Sequence, residues 1–141
     1  MLTAFIDTNI LLDLLFSRSP FNKDAETLFW LSEKKKIHLQ VSAISIINAA
    51  YVARRNQFDY KDIRKALIAL LDFVTIPNTD KQVIINALQS NFTDFEDATQ
   101  MYCAKEGKAD VIITRDVKDF IHSEIPTVTP IEFLIAHQDL L

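Results

Sequence analysis

Short apolar runs alternate with stretches in which apolar residues recur every three or four positions, and the alternation persists along the whole chain. Residues 2–6 form the first run; Asp7, Thr8 and Asn9 interrupt it, and Ile10, Leu11, Leu12, Leu14, Leu15 and Phe16 follow. That order predicts a buried strand, a polar turn and a helix. Ala25, Leu28, Phe29, Leu31 and Ser32 recur at helical spacing up to the charged stretch 33–36, and 37–41 alternates like a strand. Ser42 or Ser45 is placed to cap a helix carrying Ile46, Ile47, Ala50, Tyr51 and Ala53.

The second half continues in the same way. Ile63, Ala66, Leu67, Leu70 and Leu71 mark a helix within 59–73, and 74–76 is a short strand before Pro77. Asp80 opens one helix and Asp94 another; the single glycine, Gly107, falls just past the second, where a left-handed C-cap is expected. The run 110–114 reads as a central parallel strand, 117–121 as a small helical segment, and 125–128 as a last strand, with Pro130 opening a terminal helix. Strands separated by helices imply an α/β fold, a three-layer α/β/α sandwich with a mostly parallel central sheet, because parallel strands need crossover connections.

Composition narrows the class. A chain of 141 residues, 49% of them hydrophobic, with one Gly and four Pro, matches one globular domain over 1–141. A domain of that size buries roughly 68–70% of the surface its unfolded chain exposes. The lone Cys103 excludes an intramolecular disulfide and reads as buried filler. The opening residues carry no basic segment ahead of their apolar run, and no apolar stretch approaches the roughly 20 residues that span a bilayer. A cytoplasmic location without membrane attachment is expected.

The net charge of −4 is unevenly spread: residues 1–70 hold ten basic against seven acidic side chains, and 71–141 hold five against twelve. The halves are therefore +3 and −7. Any polyanionic substrate would need cations at the acidic half, helped by the basic stretches 34–36, 54–55 and 61–65.

Four aspartates carry the candidate chemistry. In an open parallel sheet the ligand crevice lies outside the carboxyl ends of the strands. Asp7 follows the first strand and Asp116 follows the 110–114 strand, while Asp94 and Asp97, three apart, share one helix face at its positive end. Each alone could be a helix cap. Several carboxylates on one rim, however, repel one another without a cation. An oxygen-only set suits Mg2+ or Mn2+ and phosphodiester chemistry. Glu96 is expected to point away, and Asp13, Asp24, Asp59, Asp62, Asp72 and Asp139 to lie at the surface. His38, His122 and His137 have no matching partner in sequence.

Phe5-Ile-Asp7-Thr8-Asn9, Asp94-Phe-Glu-Asp97-Ala and 110–116 followed by Lys118-Asp119-Phe120 together resemble the PIN domain, the ribonuclease fold of VapC-like toxins in bacterial toxin–antitoxin pairs. The likeness covers nearly the whole chain. It implies a metal-dependent endoribonuclease in which Asp7, Asp97 and Asp116 are the catalytic, metal-binding carboxylates and Asp94 is an adjunct. Thr8 and Asn9 would shape the turn at the substrate, with Thr114 and Arg115 near its phosphate. It further implies RNA as substrate, an antitoxin protein as partner, and homodimers. The family usually places a glutamate on the helix after the second strand, where this chain has Asn48. Asparagine keeps an oxygen donor and loses a charge, so Asn48 could contact substrate instead. The rival readings are a non-catalytic PIN-fold module that binds RNA or protein, and a receiver domain, which the Thr-Asn turn after Asp7 and the want of a lysine after the penultimate strand fit poorly.

Overall fold

The computed structural model describes residues 1–141. Five strands, β1 (Thr3–Ile6), β2 (His38–Val41), β3 (Val74–Thr75), β4 (Val111–Ile113) and β5 (Thr127–Val128), form one sheet in the order β3-β2-β1-β4-β5. Every neighbouring pair is parallel. Seven α-helices connect them: α1 (Thr8–Leu15), α2 (Asn22–Glu33), α3 (Ala43–Arg55), α4 (Tyr60–Leu70), α5 (Lys81–Leu88), α6 (Phe95–Glu106) and α7 (Pro130–Ala136). None is long and apolar enough to cross a membrane.

β1 and β4 are apolar at every inward position because both faces of the sheet are covered. Ala4, Ile6, Val111 and Ile113 pack with Leu39 and Val41 against residues of α1, α2, α3, α4 and α7. Phe5 and Ile112 turn the other way, onto Val83, Met101, Cys103, Ala104 and Phe120. The two-residue period of the strands thus divides one apolar run between two cores, and three layers result.

Side-chain caps start the helices where the sequence leads one to expect them. Asp7, Ser42, Asp59, Asp80 and Asp94 each accept a backbone N–H at the head of their helix. Thr129 and Glu132 form a reciprocal capping box, with Pro130 opening α7. The short segment after Asp116 is a 3-10 turn, Val117–Phe120, and the last strand is only two residues long.

Gly107 corrects an expectation. It sits at φ −77°, and the left-handed residue after α6 is Lys108, at φ 56°. Glycine is needed there for space: a Cβ would stand 2.5 Å from Gln40 Oε1 and 2.8 Å from Pro77 Cγ. Gln40 Nε2 meanwhile donates to the Gly107 carbonyl at 2.7 Å, tying β2 to the end of α6. Gly107→Ala is therefore expected to destabilise the fold by about 1–3 kcal/mol through overpacking, read as a lowered urea midpoint with an unchanged m-value. A midpoint equal to that of the parent chain would contradict this account of the contact.

Candidate active site

The sheet order reverses between β1 and β4, the place where an open α/β sheet leaves a crevice at its carboxyl edge. Ile6 is in register with Ile113, so Asp7 and Thr114 emerge side by side. The Asp7 N–H donates to the Ile113 carbonyl at 3.0 Å. The Asp7 carboxylate, 5% exposed, accepts the Thr8 N–H at 2.8 Å and Gln100 Nε2 at 3.2 Å on Oδ1, and the Thr114 hydroxyl at 2.8 Å on Oδ2. Burial raises its pKa; the hydrogen bonds from Thr114, Gln100 and Thr8 oppose the rise, and Asp116 adds to it. Capping alone would have used one of its oxygens. Both are engaged.

Asn9, Thr114 and Asp116 form the adjoining rim. Asn9 Nδ2 reaches Asp116 Oδ2 at 3.2 Å and the Thr114 hydroxyl at 3.3 Å. Asp116 heads the 3-10 turn without capping it by its side chain, and it is exposed. Its carboxylate is thereby left facing the crevice opening.

Asp94 caps α6, accepting the Asp97 N–H at 2.9 Å. Asp97 lies within the field of the other acids: burial, then Asp7, Asp94, Asp119 and Glu96, push its pKa up to about 7. Glu96, expected to point away, belongs to the same cluster. Burial and the charges of Asp7 and Asp94 raise it, and the Thr8 hydroxyl eases the rise. Glu96 therefore shares the field of Asp7 and Asp94 although its side chain is exposed, which a one-face helical projection does not anticipate. Asp119 is a further acid of this rim, three residues past Asp116.

Two buried polar residues support the site and were not legible in the pattern. Gln100 is fully buried and its Nε2 touches Asp7, the Thr8 hydroxyl at 3.2 Å and Ser45 Oγ at 2.9 Å, while its Oε1 has no partner. Ser45 and the Thr8 hydroxyl lie 2.6 Å apart. Asp13, expected at the surface, is fully buried. It accepts Arg115 Nε at 2.7 Å and Nη2 at 3.1 Å, and Arg18 Nε at 2.9 Å. The Arg115 guanidinium, placed near substrate phosphate by resemblance, is thus held by Asp13 and by the Phe21 ring, 4.0 Å from its centre. Asn48 is half-buried on α3, one turn beyond Ser45.

The donors gathered here are hard oxygens, which suits a divalent cation such as magnesium or manganese. No three of the acidic side chains already stand close enough to make a closed cage. The burial and like-charge repulsion that raise Asp97, and the orphaned Gln100 Oε1, are features that positive charge or a coordinated ligand would relieve.

The PIN domain family model matches residues 3–118. The chain belongs to the PIN domain family. Among solved structures this PIN domain is similar to a chain of a toxin–antitoxin complex from Klebsiella pneumoniae, with 26% identity, a TM-score of 0.67, and coverage of 90% of this chain and 97% of that one. VapBC2 from Rickettsia felis, bound to a DNA fragment from their promoter, superposes with a TM-score of 0.68 at 12% identity over 91% and 98% of the two chains. VapBC-1 from nontypeable Haemophilus influenzae does so at 0.66 and 19% identity over 92% and 99%. These last two likenesses speak of fold alone. No curated protein matches the chain in sequence.

Asp7, Asp94, Asp97, Asp116 and Asp119 come near enough for their charges to act on one another. The convergence has a stability signature. Between an ordinary pKa of 3.8 and its folded value of about 7, Asp97 holds a proton that the unfolded chain has lost, so stability falls as pH rises through that window. Without added metal, Tm is expected to decrease from about pH 5 to about pH 7.5, and Asp97→Asn to flatten the slope and raise Tm at the upper end. Parallel pH profiles for the two proteins would refute the crowding of Asp97.

Proposed function

We propose that this PIN domain is a metal-dependent endoribonuclease, using magnesium or manganese, and acts as the toxin of a toxin–antitoxin pair. The observation that carries the reading is the meeting of Asp7, Asp97 and Asp116 at one crevice, with Asp7 fixed on both oxygens by Thr8, Gln100 and Thr114. The toxin–antitoxin complexes it resembles support the partner: a small antitoxin protein. Homodimerisation and a single-domain chain belong to the same reading.

Asp7, Asp97 and Asp116 would hold the cation, with Asp94, Glu96 and Asp119 adding to the field. When bound, the ion lowers the pKa of coordinated water and neutralises charge developing on phosphate oxygens. The remaining work falls to the chain. Thr114 and Gln100 orient Asp7, while Asn9 holds Asp116 at the mouth. Thr8, Asn9 and Asn48 offer hydroxyl and amide groups to the substrate backbone. Arg115 acts through Asp13, fixing the turn that carries Asp116.

Asp7→Asn is expected to lower cleavage of structured and unstructured RNAs in manganese by roughly 100-fold or more, since loss of even an outer-shell partner commonly costs 10–100-fold. RNAs left intact by the parent chain in both metals, as by the variant, would sink the proposal. Asn48→Glu restores a carboxylate and should tighten manganese binding about tenfold in calorimetry, because affinity follows the number of charged ligands.

A second reading is favoured by Asn48 and by the lack of a closed cage: a PIN-fold module that binds RNA or protein without cutting. It predicts no manganese uptake at the acidic rim, so the same titration separates the two.

A further inference from the structure

α3 starts at the catalytic rim, where Ser45 meets Gln100 and Thr8, and ends where positive charge accumulates. Residues 54–65 contain Arg54, Arg55, Lys61, Arg64 and Lys65 against Asp59 and Asp62, in a chain of net charge −4. All seven are exposed. Interleaved with them are three aromatic residues that the fold does not bury: Tyr51 at 60% exposure, Phe58 at 48% and Tyr60 at 67%.

Phe58 is anchored on Phe16, with ring centres 5.0 Å apart. The two tyrosines instead pair with guanidinium groups, Arg55 lying 5.9 Å from the Tyr51 ring centre and Arg64 5.5 Å from that of Tyr60. Between α3 and the start of α4 they border a cleft of about 520 Å3, lined also by Ala50, Arg54, Phe58 and Ile63. Flat π-faces set beside arginines and bordering an apolar cleft are what unpaired bases stack upon, and the surrounding cations answer phosphate charge.

The edge is continuous with the crevice. Asn48, Tyr51 and Arg55 are spaced three and four apart and share one side of α3. Ten residues of helix separate Ser45 from Arg55, a rise of about 15 Å. An acidic peptide would satisfy the cations but has no use for the exposed aromatic faces; a single-stranded polynucleotide uses both.

We propose that the α3–α4 edge is a track for single-stranded RNA leading to the acidic rim, with bases stacking on Tyr51 and Tyr60 and phosphates held by Arg54, Arg55 and Arg64. The track rests on the nuclease reading above and deepens it: the acidic crevice repels its own substrate, and this edge supplies the compensating attraction. The cations engage any strand, and stacking is tolerant of sequence because every base has a π-face.

The test separates binding from cleavage. The Asp7→Asn chain is titrated into short fluorescein-labelled single-stranded RNA in EDTA, and anisotropy is followed at several salt concentrations. Adding Tyr51→Ala and Tyr60→Ala is expected to weaken binding at least about tenfold. Adding Arg55→Gln and Arg64→Gln should weaken it and reduce the slope of log affinity against log salt by about 1.4, at roughly 0.7 per phosphate contact. Circular dichroism verifies that the variants remain folded. Unchanged affinity and slope in both variants overturn the track. So does a fall from dimer to monomer in sedimentation with RNA affinity intact, which assigns the edge to a second copy of the chain. A parent chain that binds through this edge yet never cuts RNA in manganese defeats the nuclease reading while the track stands.

Discussion

Parallel pairing of β1 with β4 is the constraint on which the rest of the site depends. The chain travels more than a hundred residues between these strands, yet the register Ile6 to Ile113 places Asp7 and Thr114 on adjacent strand ends. The Thr114 hydroxyl then meets the Asp7 carboxylate at 2.8 Å in a buried setting. A carboxylate taken out of water is costly unless its lone pairs are satisfied. Here Thr114, Thr8 and Gln100 supply the donors, so the buried carboxylate keeps hydrogen-bond partners on both oxygens.

Around that bond the interior is polar where an α/β core is usually apolar. Gln100 joins α6 to Asp7, to α1 through Thr8 and to α3 through Ser45. Asp13 draws Arg18 and Arg115 together beneath the rim, and Arg18 also touches the Asn9 carbonyl at 3.4 Å. Such a network costs desolvation, which its hydrogen bonds offset except at Gln100 Oε1, left without a partner. Its benefit is positional: residues from four separate elements are held in one arrangement, and substitution of an interior group far from solvent would be felt at the mouth.

The rim itself works against the fold. Asp97 is partly buried and crowded by Asp7, Asp94, Asp119 and Glu96, a concentration of like charge that stability alone would not select. The opposite charge collects on α3 and α4, on the far side of Asn48. The chain therefore presents an acidic mouth beside a basic aromatic edge, the separation of charge that the proposed RNA track asks of a protein with negative net charge.

Strand and helix order, the parallel sheet and the placement of Asp7, Asp94 and Asp116 at strand ends and helix starts were legible in the sequence, because each rests on local chemistry: apolar runs for strands buried on both faces, caps at helix starts, acids placed just after strands. What local pattern could not supply was orientation across the fold. Asp13 looks like any acid on a helix until β4 brings Arg115 over it. Glu96 looks outward until the fold brings it within the field of Asp7 and Asp94, and Gln100 is an unremarked polar residue until it is enclosed. Gly107 reads as a backbone device, yet the contact that demands it comes from Gln40, 67 residues earlier. Periodicity specifies which face of an element is apolar; only the packing of elements decides which polar groups lose water, and those groups must find their partners wherever the sheet has placed them.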